Sequence, residues 1–123
     1  MEIALWIAQA LAAVMFVFHG TTLVFRMERA RAQFPWAKDV SNVLLRFIGT
    51  AEILGAAGLI LPALTRVLPW LTPLAAAGLV VLMILAALFH ITRGEWPNVA
   101  FNVVLGAVAA FVAYGRSVVL PLT

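Results

Sequence analysis

The sequence predicts an all-α membrane protein, folded as a four-transmembrane-helix bundle. Three observations predict it. Of 123 residues, 65% are hydrophobic and 11% charged, with a mean hydropathy of +1.10. Soluble domains run about 45–50% apolar and about 25% charged, so a water-soluble globule and a disordered chain are both excluded. The apolar residues gather into four stretches, each long enough for a hydrocarbon core about 30 Å thick. The basic residues concentrate in the connections on one side of those stretches. The chain, 1–123, reads as one domain; no Gly/Ser linker, low-complexity tract or repeat divides it.

The first span runs from about 3 to 25, interrupted only by Gln9, His19 and the Thr21-Thr22 pair. Residues 1–6 lack the positive n-region of a secretory signal, and this stretch reads as a retained span. The second span runs from about 43 to 61 and ends at Pro62. The third, about 72 to 91, starts beside Pro69 and Pro73, which a first helical turn tolerates. The fourth, about 97 to 114, stops at Gly115. The long connection 26–42 mixes bases with Phe34, Pro35 and Trp36. It is either an interfacial segment lying on the bilayer or a solvated connector.

Four spans put both termini on one side. The opposite side carries Arg26, Arg29, Arg31, Lys38, Arg93 and, just inside the second span, Arg46. The terminal side carries only Arg66 and Arg116. The positive-inside rule makes the 26–42 loop cytoplasmic and both termini external. A bacterial inner membrane is the expected location. Trp6 and Trp70 then mark the outer interface, Trp36 and Trp96 the inner one. The pI near 10.7 reflects scarce acids, namely Glu2, Glu28, Asp39, Glu52 and Glu95. The bases therefore report topology and not nucleic-acid binding. The absence of cysteine excludes disulfides, thiol catalysis, iron–sulfur ligation and Cys-based zinc sites.

Ionisable groups inside a span are costly and mark candidate sites. At about 1.5 Å per residue, Glu52 lies roughly 14 Å into the second span, near mid-membrane. His19 lies roughly 9 Å from the cytoplasmic end of the first span, and Arg46 about 5 Å into the second. His90 ends the third span, and Asn98 and Asn102 share one face at the start of the fourth. All six fall in the cytoplasmic half, and the outer half offers little beyond Gln9. One polar cavity between the helices is expected, closed on the outer side. Glu52 and Arg46 stand about 120° apart around their helix, so Glu52 is expected to reach another helix. Glu52, His19 and His90 are the candidate catalytic groups, able to move protons. Arg46, Asn98 and Asn102 are candidates to bind a substrate. The competing reading is a structural polar clamp. The glycines and alanines of the second span suit close packing, within the chain or between chains.

The run Arg46-Phe47-Ile48-Gly49-Thr50-Ala51-Glu52-Ile53-Leu54-Gly55 resembles the DoxX-like family of small membrane proteins. So do Leu71-Thr72-Pro73, His90 followed by Arg93-Gly94-Glu95, and the tail from Phe111 to Arg116. The resemblance covers nearly the whole chain and implies a four-helix membrane protein. It also implies association with thiosulfate:quinone oxidoreductase or other membrane oxidoreductase complexes. Relatives often end the first span Gly-x-x-Lys-Leu; here His19-Gly20-Thr21-Thr22-Leu23 stands, without the lysine.

Two functional expectations follow. The first is an intramembrane pocket for a lipophilic small molecule, quinone- or terpenoid-like. Acid–base chemistry there would run through Glu52 with His19 or His90, as an isomerase, hydrolase or quinone-linked oxidoreductase. The alternative is a non-enzymatic membrane subunit or scaffold of an oxidoreductase complex, as a homo-oligomer or with a partner oxidoreductase. No cofactor is firmly implied. Quinone suits the pocket, whereas haem b is met only in the axial-ligand residue type of the two histidines. No metal site is expected.

Overall fold

A computed structural model describes residues 1–122. Four long helices carry the fold: α1 (Glu2–Phe25), α3 (Asn42–Thr65), α4 (Leu71–Thr92) and α5 (Trp96–Tyr114). All four are long and apolar enough to cross a membrane, the last together with the π-helical turn Gly115–Val119. Between α1 and α3 lie a short helix, α2 (Met27–Gln33), and a 3₁₀ turn, Pro35–Asp39. The long helices run up and down in a ring. Helix α1 packs on α3, α3 on α4, α4 on α5, and α5 closes back on α1. Large apolar side chains such as Phe18, Phe47, Leu54, Val81 and Leu85 face outward, as a lipid solvent allows.

The core is built from small residues around a few large ones. Ala12, Ala56, Ala76 and Ala109 are buried with Phe16, Leu59, Leu79 and Val112. Small residues let helices approach closely where lipid removes the usual hydrophobic drive to associate. The glycines of α3 serve that packing within the chain. A Cβ on Gly55 would stand 2.6 Å from Leu79 Cδ2, and one on Gly58 2.5 Å from the Ala75 Cβ.

Helix α3 passes through Pro62 and ends at Thr65, one turn beyond the sequence expectation. Proline removes the bond to the carbonyl four residues back, here Gly58. Thr72 Oγ1 of α4 donates to that same carbonyl at 2.9 Å. The freed acceptor is thus satisfied by a neighbouring helix, the usual condition for proline inside a membrane helix. The stop comes at Arg66, which takes the left-handed conformation with φ 63°. At the other end Ser41 caps α3, its hydroxyl accepting from Leu44 N at 3.2 Å.

The helical path also continues past Gly115, where the sequence suggested a stop. Gly115 holds a right-handed conformation and packs its bare Cα against the Leu5 side chain. The chain then turns once more and places Arg116 inside the bundle.

Candidate functional site

The site grows from a helix crossing. Gly20 on α1 faces Gly49 on α3, and a Cβ on either would stand 2.7 Å from the other's carbonyl oxygen. His19 precedes the first glycine by one residue, and Glu52 follows the second by three. The crossing brings their side chains together, His19 Nδ1 to Glu52 Oε2 at 2.6 Å. The Glu52 side chain is 2% exposed and that of His19 23%. A contact this short holds a proton between the two atoms. The pair is electrically neutral either as imidazolium with carboxylate or as imidazole with carboxylic acid. Neutrality avoids the cost of an uncompensated charge away from water. Nδ1 is committed to Glu52, so Nε2 is the nitrogen left for exchange, with no partner among the described residues.

The loop after α1 folds over this pair. Phe34 lies 5.3 Å from the His19 ring and Trp36 stacks on it at 6.3 Å, with Phe34 and Trp36 stacked on each other. Trp36 is buried, not spread at a membrane interface. Its other edge meets the His90 ring at 5.5 Å. The loop has a small core of its own, in which Leu23, Ala30, Trp36, Ala37, Val40 and Leu45 pack together. It is therefore a folded strap over one end of the bundle.

His90 is placed by the end of α4. Glu95 N–H bonds back to the His90 carbonyl and Gly94 N–H to that of Ile91, with Gly94 at φ 69°. This is a Schellman cap, in which the glycine takes the left-handed position and the residues flanking the turn meet. Those residues are His90 and Glu95, bonded Nδ1 to Oε1 at 2.8 Å. Arg93 donates to the same oxygen at 3.0 Å and pairs with Asp39 of the strap at 2.7 Å. The hydrogen bond from His90, with the Arg93 guanidinium, holds the Glu95 carboxyl below its ordinary range. Bonds to Asp39 and Glu95 hold Arg93 all the more firmly charged.

A pH dependence follows. A carboxylate favoured by folding stabilises above its unfolded pKa, and that contribution is lost as pH falls through the lower folded value. The strap is expected to loosen only below the ordinary carboxyl range. Amide protection at Ala37 and Val40, taken relative to the intrinsic exchange rate at each pH, should fall there, and Arg93→Gln should lower it at neutral pH.

The remaining sequence candidates lie apart. Arg46 is exposed on α3, on the outer surface of the bundle. Asn98 is half-buried in the first turn of α5. Asn102 is buried, and its Nδ2 has no hydrogen-bond partner. Among the described residues no three His, Cys, Asp or Glu side chains gather to hold a metal.

A second polar network lies at the opposite end, where sequence reasoning saw only Gln9. Gln9 Nε2 donates to the Leu59 carbonyl at 2.7 Å, and Arg116 Nε donates to Gln9 Oε1 at 2.8 Å. Arg116 Nη2 pairs with Glu2 at 2.7 Å, and its guanidinium lies 5.6 Å from the Trp6 ring centre. The signal for it was present: a glutamine deep in an apolar span needs a partner, and Arg116 is one of two arginines at that end. This network ties α1, α3 and the terminal turn together, and its groups face one another.

No curated protein and no solved structure matches the chain. The model of the DoxX-like family matches residues 7–112, which include the helix crossing, the His19–Glu52 pair, the strap and the His90–Glu95 cap. With that match over most of its length and four helices able to span a bilayer, the chain is an integral membrane protein of the DoxX-like family.

Proposed function

We propose that this protein binds a lipophilic small molecule, quinone- or terpenoid-like, and exchanges a proton with it at the His19–Glu52 pair. One observation carries the reading: a buried carboxylate fixes Nδ1 of a partly exposed imidazole and leaves Nε2 without a partner. Glu52 would orient the ring and balance its charge. In the neutral pair Nε2 carries a hydrogen, so it would donate that proton to a carbonyl oxygen of the ligand and recover one from the resulting hydroxyl or enol. An open apolar groove of about 610 Å³ runs along the same helix pair, lined by Val14, Val17, Phe18, Ile53, Ala57 and Ile60. His19 and Glu52 do not line it, but their sequence neighbours Phe18 and Ile53 do. His90 acts through Trp36 as a positioning residue. Arg46 and Asn98 have no part in this reading of the proton step. Haem b has none either. The orientation that follows from the basic residues puts the strap in the cytoplasm and both termini outside.

The test is binding of a short-chain benzoquinone to the protein in nanodiscs, read by tryptophan fluorescence. Losing a charge-assisted hydrogen bond costs about 1.5–3 kcal/mol. Glu52→Gln and His19→Gln should each weaken binding about tenfold or more while helicity stays intact. Unchanged binding in both variants would reject the site.

The scaffold reading rests on one different observation. Gly78 on α4 faces open space with nothing within 4 Å of its would-be Cβ. A second chain seated there would make Gly78→Leu disrupt assembly while Glu52→Gln left it unchanged.

A further inference from the structure

A groove of about 520 Å³ opens where the last turns of α1 meet α2, away from the strap's aromatic stack. Its membrane end is walled by Phe18 and Phe25, both exposed. Its loop end is walled by Arg26, Arg29 and Gln33. Arg29 and Gln33 stand one turn apart on α2, Arg26 sits at the break between α1 and α2, and Glu28 is not in the lining. No carboxylate lines the groove. Thr21 and Thr22 donate their hydroxyls to carbonyls of their own helix, so the free donors are the two guanidiniums and the Gln33 amide.

Three arginines are held by partners that the fold supplies. Arg31 bonds Val40 O and Asn42, Arg93 pairs with Asp39 and Glu95, and Arg116 pairs with Glu2. Arg26, Arg29 and Arg46 have no side-chain partner among the described residues, and the first two line this groove. Two unpaired cations beside two lipid-facing phenylalanines fit an amphiphile with an anionic head. Guanidinium groups match phosphate oxygens in geometry as well as charge.

We propose that this groove binds the headgroup phosphate of an anionic phospholipid, with an acyl chain along Phe18 and Phe25. This site is separate from the His19–Glu52 pair and does not depend on its chemistry. The occupant is a lipid and not free phosphate, because Phe18 and Phe25, both exposed on a helix able to span a bilayer, wall one end of the groove.

The test uses the full-length protein, delipidated in mild detergent, with bound lipid counted by native mass spectrometry. The probes are dioleoylphosphatidylglycerol, dioleoylphosphatidylcholine and inorganic phosphate. The unaltered protein should retain the glycerol lipid at least fivefold better than the choline lipid, and inorganic phosphate should not displace it. A cation near a membrane surface contributes about fivefold in affinity for anionic lipid. Arg29→Gln should therefore weaken retention about fivefold and Arg26→Gln/Arg29→Gln more than tenfold, while Lys38→Gln changes little. Equal retention of the two lipids would overturn the proposal, and that comparison needs no variant. So would a loss in Lys38→Gln matching that in Arg29→Gln, or displacement by inorganic phosphate.

Discussion

Arg116→Ala is expected to destabilise the protein by roughly 2–4 kcal/mol, the sum of three effects of different sign. Removing the guanidinium strips Gln9 Oε1 of its donor inside the bundle, which costs about 1–3 kcal/mol for a buried unsatisfied acceptor. Removing the aliphatic stem opens a cavity beside Trp6, in the class of long-chain-to-alanine changes that cost about 2–5 kcal/mol. Against these, a buried cation no longer has to be kept from water. Glu2 is half-exposed and is left solvated, so it adds little to the loss. Glu2→Gln should accordingly cost little, as for exposed ion pairs. Arg116→Lys should not restore the wild-type value, because one ammonium does not reproduce the fork that meets Gln9 and Glu2 together. Equilibrium unfolding in mixed detergent micelles measures all three. An Arg116→Ala loss no larger than that of Glu2→Gln would show that the buried network does not hold the terminal turn.

Gly49→Ala is the second large effect. The added methyl would stand 2.7 Å from the Gly20 carbonyl oxygen and as close to Val24 Cγ2. A side chain can rotate away, but a backbone oxygen of a packed helix cannot. Helices α1 and α3 must part, at about 1–3 kcal/mol for overpacking. The consequence beyond stability is local. The crossing sets the 2.6 Å approach of His19 and Glu52, so parting the helices separates the pair. Gly49→Ala should therefore weaken quinone binding as much as Glu52→Gln does. By contrast Gly78→Ala, on open surface, should change neither. Stability and binding measured on the same three variants check this directly.

Much of the fold is legible in the sequence because a bilayer imposes length and composition on every span. Four apolar stretches and a proline-marked start of α4 need no tertiary information. The ends are less legible. Pro62 reads as a stop until Thr72 is known to satisfy the Gly58 carbonyl, and that contact joins two helices. Gly115 reads as a stop until Arg116 is known to have buried partners. For the site, depth counting puts His19 and Glu52 in one membrane half, but depth alone leaves both His19 and His90 open as partners for Glu52. The Gly20–Gly49 crossing decides among them, and each glycine alone looks like ordinary packing. Trp36 is misread for a related reason. An indole near a span end normally anchors at the interface, and only the folded strap turns this one inward between two histidines. His90-x-x-Arg93-Gly94-Glu95 could have been read further. Glycine at the left-handed position of a helix end brings the flanking residues together, and here those are an imidazole and a carboxylate.

The most direct measurement of the dyad's role is native mass spectrometry of the protein released from mild detergent, beside Glu52→Gln prepared identically. The expected result is a reproducible lipophilic small-molecule mass on the unaltered protein, absent from the variant, with helicity equal in both. An unaltered protein carrying only bulk phospholipid, or a bound mass that survives Glu52→Gln, would contradict a ligand held at the His19–Glu52 pair. Unfolding of Glu52→Gln would instead make the pair a structural clamp between α1 and α3.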